Sequence, residues 1–491
     1  MSKLSIPQKK ISDTLTISRV LTGLWQVADM ERSGEDLDPD QAANQLSAYV
    51  RDGFSTFDMA DHYGSAEIIA GRMLKRFDAG SERPLAFTKW CPKPSEMTQK
   101  IVRAGVQERL DRLGVEQLDL LQFHWWSFEH PAWLDALHEL ASLREKGLIK
   151  EIGVTNFDAA HLHLALADGV PICTNQISCS LIDRRATGGL SQICDEHDVH
   201  LLAYGTVCGG FLSEKWLNSG DAQNITDWSK MKYYRFIEAA GGWEAFQTLL
   251  HTTAEIATKH DVSVTNVATR WVLEQRRVAG IIIGARLGEN EHRLDNAKLF
   301  SFELDREDYD MLEEAFSICK PIPGDCGDEY RKPPFLTASG DLSHHLNEIP
   351  SALEIDHMPQ NPNILRAHSG SKWEEIAGYC RARRIGDRIL VSGTTATSGS
   401  DRVVASGDAS AQTTYILDKI IAAVTALGGK LTDICRTRIY LKDINDTEAV
   451  SRAHGRIFGD IRPANTLLAV QQLAGDYLVE IEAEAIITPD D

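Results

Sequence analysis

Short apolar runs and amphipathic helical patterns alternate along the N-terminal part of the chain. The runs are rich in Val, Ile, Leu and Phe, as in strands that are buried on both faces. The stretches between them show helical spacing of apolar residues, for example Leu134, Leu137 and Leu140. Eight strands that alternate with helices predict one architecture, a (β/α)8 TIM barrel.

The chemistry of such a barrel lies at the carboxyl ends of its strands, so the last residues of each run are the first candidates for a site. The predicted strands are Arg19–Trp25, Ser55–Ala60, Leu85–Trp90, Leu118–Trp125, Ile149–Val154, Ile172–Ile177, Leu201–Val207 and Gly280–Gly284. The clearest predicted helices are Gln99–Leu113, Trp133–Lys146 and Trp243–His260.

The alternation stops near residue 319, where a stretch rich in Pro, Gly and charge begins. The pattern predicts a barrel over 1–318, a linker over 319–370 and a smaller α+β domain over 371–491. The elements predicted in the smaller domain are strand Arg383–Ser392, helix Ala411–Leu427, strand Ile434–Leu441, helix Thr447–Phe458, and strands Thr466–Gln472 and Val479–Ile487.

The composition argues against several classes of protein. A net charge of -20 over 491 residues repels nucleic-acid phosphates and anionic lipid. The sequence shows neither an apolar run of bilayer length nor a secretory signal pattern at its start. The nine cysteines form no CxxC pair and the histidines form no HExxH pair, so reduced thiols and no metal site are expected. We therefore expect a cytoplasmic protein whose partner is a small molecule, not a nucleic acid or a membrane.

Four side chains near the ends of predicted strands two to four supply the chemistry of carbonyl reduction: Asp58, Tyr63, Lys89 and His124. A tyrosine hydroxyl donates a proton readily at neutral pH only when a nearby cation stabilises the phenolate. A lysine supplies that cation, a carboxylate holds the lysine in place, and a histidine orients the carbonyl oxygen. Each residue alone is explained by a barrel-end salt bridge or a core contact, but the four in register favour a catalytic site.

These residues resemble the aldo-keto reductase superfamily over roughly residues 15–316. The resemblance rests on the D-x-A-x-x-Y-G run that begins at Asp58, on Thr88-Lys89 and on His124. It implies that Tyr63 is the general acid, that Lys89 and Asp58 tune it, and that His124 orients the substrate.

The same resemblance implies a nicotinamide cofactor. By position, Asn156 and Gln176 contact the nicotinamide amide, Tyr204 stacks on its ring, and Arg286 meets the 2′-phosphate of NADP. NADP is the expected cofactor, and NAD is the alternative because His292 stands where the family often has arginine. The full set of expected cofactor contacts is Gly23, Trp25, Asn156, Gln176, Tyr204, Arg286, His292 and Asn296.

Aromatic residues crowd the expected catalytic end of the barrel. We expect Trp25 and Trp90 to form walls of the substrate pocket, and the long stretch 208–242 to shape the pocket or cover it. Such walls suit an apolar or flat carbonyl compound or the face of a sugar, and the sequence does not choose between them.

Residues 371–489 resemble the Rid (YjgF/YER057c/UK114, RutC-like) family, through the runs RILVSGT at 388–394, RIYLKD at 438–443 and RPANT at 462–466. The resemblance implies a chorismate-mutase-like α+β fold, a homotrimer, and ligand clefts between subunits. Active members hold the carboxylate of an imine or enamine with an arginine directly after the Pro-Ala pair. Asn465 stands there and lacks the charged fork of arginine, whereas Glu480 matches the cleft glutamate.

The sequence thus predicts an NADP(H)-dependent oxidoreductase that interconverts a carbonyl compound and an alcohol, fused to a ligand-binding or trimerising module. Two alternatives remain open. In the first, the barrel binds NAD(P)H and acts as a sensor or accessory subunit. In the second, the C-terminal module hydrolyses imines and enamines. The substrate, the direction of the reaction and the oligomeric state are not fixed by the sequence.

Overall fold

The structure is a computed structural model, and it describes residues 5–27, 37–77, 83–222, 225–287, 292–332, 349–399 and 402–488. The strands of the N-terminal part are β1 (Gln8–Lys10), β2 (Thr16–Ser18), β3 (Val20–Gly23), β4 (Thr56–Asp58), β5 (Leu85–Trp90), β6 (Leu118–His124), β7 (Ile149–Thr155), β8 (Ile172–Ser178), β9 (His200–Tyr204) and β10 (Val278–Gly284). Strands β3 to β10 are parallel and close into a barrel in the order β10-β3-β4-β5-β6-β7-β8-β9. The predicted TIM barrel is confirmed.

Helices follow the barrel strands and cover them from outside. They are α1 (Pro39–Arg51), α2 (Ala66–Leu74), α3 (Gln99–Leu113), α4 (Ala132–Glu145), α5 (Ala159–Ala167), α6 (Gly189–Glu196), α7 (Trp228–Ala239), α8 (Gly242–His260), α9 (Val264–Leu273), α10 (Arg293–Lys298) and α11 (Arg306–Ile318).

Local signals explain why these elements begin and end where they do. The Thr98 side chain accepts the Ile101 amide at the start of α3, and Gly114 ends this helix in the left-handed conformation with φ 64°. Every residue of β6 is buried because the barrel interior covers one face and helices cover the other.

An apolar cluster fills the amino-terminal end of the barrel. It includes Ile11, Leu15 and Ile17 from the N-terminal hairpin and Phe87 and Leu120 from strands β5 and β6. Because this end is packed with side chains, a cavity for ligand can open only toward the carboxyl ends of the strands.

The C-terminal part is a mixed sheet of seven strands with helices on one face. Its strands are β11 (Glu354–Met358), β12 (Asn361–His368), β13 (Ala382–Ile385), β14 (Arg388–Thr395), β17 (Ile434–Leu441), β18 (Ala464–Ala469) and β19 (Val479–Ile486), and β15 (Thr397–Ser398) with β16 (Arg402–Val403) forms a separate hairpin. The helices are α12 (Lys372–Ala377), α13 (Ala409–Ala426) and α14 (Thr447–Phe458).

Two details of this sheet differ from the sequence predictions. The run Arg383–Ser392, predicted as one strand, is a hairpin of β13 and β14 that turns at Gly386, where φ is 63°. The apolar alternation continues across this short turn, which conceals it in the sequence. Strands β11 and β12 lie within the stretch predicted as linker and extend the same sheet.

The sheet domain docks on the barrel through α13, which packs against α5. At the centre of this contact, the imidazole of His161 bridges two carboxylates, with Nδ1 at 2.6 Å from Asp158 and Nε2 at 3.0 Å from Asp418 of α13. The Arg402 guanidinium also contacts Asp168 of the barrel, at 2.8 Å. Charged side chains, most of them shielded from water, therefore join the two domains.

Residues 319–332, here called the crossing segment, run from α11 across the catalytic end of the barrel. Arg331 donates to the Asn156 and Trp125 carbonyl oxygens, the latter at 2.9 Å. Glu329 is fully buried and pairs with Arg185 at 3.0 Å. The first part of the predicted linker is thus packed against the barrel. Among the helices described, none has the length and apolar character needed to cross a membrane.

Candidate active site

The carboxyl ends of the barrel strands surround one deep pocket. Asp58 is the last residue of β4, Tyr63 follows in the next turn, Lys89 lies near the end of β5, and His124 ends β6. All four side chains line this pocket. The structure therefore brings together the four residues that the sequence singled out from three different strand ends.

Asp58 holds the lysine. Its Oδ2 atom accepts Lys89 Nζ at 2.6 Å, and its Oδ1 atom accepts the side-chain amides of Gln122 at 3.0 Å and Gln176 at 2.7 Å. Both charged side chains are almost fully buried. A carboxylate that accepts three hydrogen bonds in a dry site is fixed in position, and so is the ammonium that it binds.

Lys89 also donates to the Met59 carbonyl oxygen at 2.9 Å and lies 5.2 Å from the centre of the Tyr63 ring. The Tyr63 ring is held edge-on between Trp25 and His62, each with its ring centre at 4.9 Å. The phenol group is therefore beside a buried cation and has little freedom to rotate.

His124 presents one ring nitrogen to the pocket. Its Nδ1 atom lies 3.2 Å from the Thr155 carbonyl oxygen, which can only accept, so the Nδ1–H donates. Burial and the charge of Arg331 lower the pKa of His124 well below 6.5, and the ring is neutral at pH 7. The buried Nε2 has no hydrogen-bond partner among the described residues and is then an acceptor, suited to the hydroxyl of an alcohol.

The same pocket contains the residues expected near the nicotinamide. Gly23, Trp25, Asn156, Gln176 and Tyr204 all line it. Tyr204 donates its hydroxyl to the Asn156 side-chain oxygen at 2.7 Å. Asn156 has φ 59°, an uncommon conformation for a residue other than glycine, and its backbone N–H donates to the Gln176 carbonyl oxygen at 2.8 Å.

Three expected cofactor residues lie outside this pocket. Arg286 is half exposed, 3.5 Å from Asp227. His292 precedes α10, and Asn296 is buried within that helix. Residues 288–291, which lie between Arg286 and His292 in the sequence, are outside the described part of the chain.

Trp90 was predicted to form a wall of the substrate pocket, and this prediction is wrong because Trp90 does not line the pocket. Its indole faces outward against α3, where a side chain on Gly105 would lie 2.5 Å from it, and it packs against Phe123. Successive side chains of a strand point to opposite faces, so the residue after the inward-pointing Lys89 must point outward. Trp126 lines the pocket instead.

Tyr330 and Lys232 are among the pocket residues that the sequence did not single out. Tyr330, from the crossing segment, places its hydroxyl 3.3 Å from that of Tyr204 and its ring edge-on to His124. Lys232 of α7 donates to the Tyr330 hydroxyl and lies 4.9 Å from the Tyr204 ring centre. Helix α7 belongs to the stretch 208–242 that the sequence suggested as a pocket wall, but no pattern singled out Lys232 or Tyr330.

In the sheet domain, Asn465 and Glu480 do not meet within one chain. Asn465 pairs with Thr437 of β17 and donates to its hydroxyl at 2.9 Å, whereas Glu480 pairs with Tyr440. Residues 437 and 440 are three apart on one strand, so their neighbours lie on opposite faces of the sheet. Burial and the charge of Glu482 raise the pKa of Glu480 although Arg381 opposes them.

Comparison with known proteins agrees with this architecture. The model of the aldo/keto reductase family matches residues 19–316, more than half of the chain. The chain belongs to the aldo/keto reductase family. Its C-terminal part, residues 370–487, matches the model described as endoribonuclease L-PSP.

An uncharacterised protein of Streptomyces coelicolor is 40% identical over 123 residues, which are 25% of this chain and 91% of that protein. The NADH-specific methylglyoxal reductase of Escherichia coli is 23% identical over 326 residues, covering 61% of this chain and 95% of that enzyme. The glycerol dehydrogenase structure from Gluconobacter oxydans has a TM-score of 0.53 at 23% identity, covering 66% and 98% of the two chains, and shares the fold. This aldo/keto reductase is an oxidoreductase of carbonyl compounds with a C-terminal Rid-type domain.

Proposed function

We propose that this chain transfers a hydride between NADP(H) and the carbonyl carbon of a small aldehyde or ketone, or catalyses the reverse reaction. The observation that carries the proposal is the buried Asp58–Lys89 pair beside Tyr63, in the same pocket as the neutral His124. These groups supply the proton donor, the charge that tunes it and a hydrogen-bond acceptor for the hydroxyl of the alcohol.

Amide and aromatic side chains suited to a flat, amide-bearing ring line the pocket together with these groups. Gly23 and Gly284 are paired on adjacent strands and both line the pocket. A Cβ atom on Gly23 would lie 2.8 Å from the Ile282 side chain, and one on Gly284 would lie 2.1 Å from the Gln26 side chain. Glycine at both positions therefore leaves room for these two side chains, which also line the pocket. Asn156 and Gln176 offer amides, and Tyr204 offers a ring face, where a nicotinamide carboxamide and ring would bind. When bound, the cofactor supplies or accepts the hydride.

In the direction of reduction, Tyr63 donates its hydroxyl proton to the substrate oxygen. Lys89 favours the phenolate that remains, because the ammonium is held close to the ring in a site with little water. Asp58 keeps Lys89 in place. In the direction of oxidation, Tyr63 accepts the proton, and His124 Nε2 accepts a hydrogen bond from the alcohol before reaction.

NADP is proposed over NAD because Arg286 supplies a cation at the expected adenosine end, and its contact with Asp227 is long at 3.5 Å. A guanidinium binds a 2′-phosphate in a charge-assisted manner. The similarity to an NADH-specific reductase makes NAD the alternative to be tested. Arg286→Gln is expected to weaken NADPH binding and leave NADH binding unchanged.

For the Rid-type domain we propose a ligand-binding or trimerising role rather than imine hydrolysis. Asn465 and Glu480 lie on opposite faces of one sheet, so a cleft that uses both would need a second copy of the chain. Asn465 also offers no positive charge to a carboxylate.

The test is consumption of NADPH and NADH by the full-length protein on aromatic, aliphatic and sugar aldehydes, with Tyr63→Phe as the variant. Turnover should fall about 10²–10⁴-fold in the variant, since one proton donor is lost. Cofactor binding, measured by fluorescence, should persist. Tight cofactor binding without turnover of any aldehyde or alcohol by the wild type would refute the enzyme and favour a sensor.

A further inference from the structure

A second group of polar side chains borders the catalytic pocket. Asp61 and His62 lie in the turn after β4, and Cys91 directly follows β5. One carboxylate oxygen, one imidazole nitrogen and the sulfur lie within 4.8 Å of one another. His62 and Cys91 also line the pocket. We propose that Asp61, His62 and Cys91 form a site for Zn²⁺, with one coordination position open to the catalytic pocket.

The donor atoms match this ion. Zn²⁺ binds cysteine sulfur at about 2.3 Å, histidine nitrogen at about 2.0 Å and carboxylate oxygen at about 2.1 Å. Neighbouring ligands around a tetrahedral ion are then roughly 3.5 Å apart. On binding, the separations of up to 4.8 Å must shorten to about this value, and the 2.8 Å contact between Asp61 and His62 must lengthen to it. Three protein ligands with a fourth position open is the arrangement of zinc sites that accept an exchangeable ligand.

The carboxylate is already oriented toward both other ligands. Asp61 Oδ1 accepts His62 Nδ1 at 2.8 Å, and Asp61 Oδ2 accepts the backbone N–H of Cys91 at 2.8 Å. On metal binding the first contact is replaced by two bonds to the ion, while the second keeps the carboxylate aligned. Arg109 lies 3.8 Å from Asp61, but its charge is offset by Glu67 at 3.0 Å.

A second group among the described residues shows why the donor set alone is not sufficient. His260, Asp305 and Asp308 also place one atom each within 4.8 Å of the others. There the Lys259 ammonium lies 2.7 Å from Asp305 and 3.0 Å from Asp308, so a cation of the protein already occupies the position. That group also lacks a sulfur ligand, and we propose no metal site there.

Occupation of the site would inhibit the reductase. The His62 ring centre is 4.9 Å from that of Tyr63, so an ion on His62 lies beside the proposed proton donor. Coordination converts the Cys91 thiol to a thiolate and releases one proton to solvent, and no electron is transferred. Affinity for Zn²⁺ therefore rises with pH, because fewer protons must be displaced.

The binding test uses Co²⁺ as a spectroscopic probe on the full-length protein and does not depend on the reductase activity. Co²⁺ should produce a near-ultraviolet thiolate-to-metal absorption that saturates at one ion per chain and is removed by Zn²⁺. Cys91→Ser should abolish the band and weaken binding at least about 100-fold, since even outer partners of a metal site contribute about 10–100-fold. Cys435→Ser, which removes the exposed thiol on β17, is the matched control and should keep the band.

His62→Asn is a second variant, should Cys91→Ser fail to fold, and it should weaken Co²⁺ binding similarly. A wild-type protein without the thiolate band, or a band that persists in Cys91→Ser, overturns the proposal. A second readout is reduction of aldehydes by NADPH, which micromolar Zn²⁺ should inhibit and EDTA should restore. Binding of one ion to a protein without reductase activity would support the metal site and refute the proposed function separately.

Discussion

The barrel and the seven-stranded sheet place their candidate functional residues in opposite ways. In the barrel, parallel strands end at one rim, and Asp58, Lys89 and His124 from three strands enter one pocket. In the sheet, Asn465 and Glu480 lie on different strands and opposite faces. A closed barrel therefore completes a site within one chain, whereas an open sheet of this kind needs a neighbour to do so.

The two regions also differ in how their polar groups are satisfied. Asp58 is buried and is bonded to a lysine and two amides, all of which belong to the barrel. Asn465 is exposed and bonded only to the neighbouring Thr437 among the described residues. Changes in the barrel should consequently abolish chemistry, and changes in the sheet should adjust binding.

The largest effect is expected from Lys89→Met. Loss of the ammonium removes the charge that favours the Tyr63 phenolate, and turnover should fall about 10²–10⁴-fold. Steady-state kinetics with NADPH and an aldehyde measure this. Because the change leaves Asp58 buried without its cation, the double variant Asp58→Asn/Lys89→Met checks that the loss is chemical rather than structural. Full activity in the single variant would show that Lys89 takes no part in the mechanism. Lys146→Met, which removes an exposed lysine, is the control and should keep full activity.

The contact between the two regions should matter for stability. His161→Ala leaves Asp158 and Asp418 buried without the imidazole between them, and breaking such a pair costs about 3–5 kcal/mol of unfolding free energy. Chemical denaturation followed by intrinsic fluorescence measures the loss. The double variant His161→Ala/Asp418→Ala should lose much less than the sum of the single changes. Additive losses would show that His161 and Asp418 do not stabilise each other across the interface.

The same contact should depend on pH. Burial lowers the pKa of His161, but Asp158 and Asp418 outweigh it, and the folded-state pKa lies above 6.5. The stabilisation is therefore complete below about pH 6.5 and is lost as pH rises through the folded-state pKa. Each full pH unit by which the folded-state pKa exceeds the unfolded one corresponds to about 1.4 kcal/mol of unfolding free energy. Thermal unfolding from about pH 5.5 to about pH 9 should show this decline in the wild type.

His161→Gln should flatten that profile, since Asp158 and Arg456 keep their charges over this range. His163, whose pKa Asp408 raises by a hydrogen bond, faces the same interface and contributes with the same sign. His163→Gln is thus the matched control and should remove only part of the slope. An identical slope in His161→Gln would exclude His161 as the titrating group.

Elements and site residues could be predicted where the sequence pattern lies within one segment. They could not be predicted where tertiary packing determines their position. Strand β5 and helices α3 and α14 have the predicted bounds, because the periodicity of their apolar residues lies within each segment. The four catalytic candidates could be found because strand ends carry them in a fixed order. Tyr330 could not, since it comes from a segment without periodicity and reaches the pocket only through the path of the crossing segment.

Trp90 shows that the sequence pattern also does not fix which way a side chain at a strand end points. An aromatic residue at a strand end was predicted as a pocket wall, yet one step along the pleat turns its side chain toward α3. The hairpin at Gly386 was missed for a related reason: alternation of apolar residues indicates strand but not where the chain reverses.

The smallest effect is expected from Asn465→Arg. This variant tests whether a positive charge at position 465 is all that the sheet domain lacks for binding a carboxylate. A guanidinium there would give a carboxylate a charged contact, and binding of a small 2-oxo acid should tighten about tenfold, as for a charge-assisted bond. Isothermal titration measures this, and imine hydrolysis is assayed beside it. Asn465→Gln, which keeps an amide, is the control. If Asn465→Arg changes neither binding nor hydrolysis while the protein forms trimers, the missing arginine is not what separates the sheet from an active cleft. The faces contributed by neighbouring chains would then decide it.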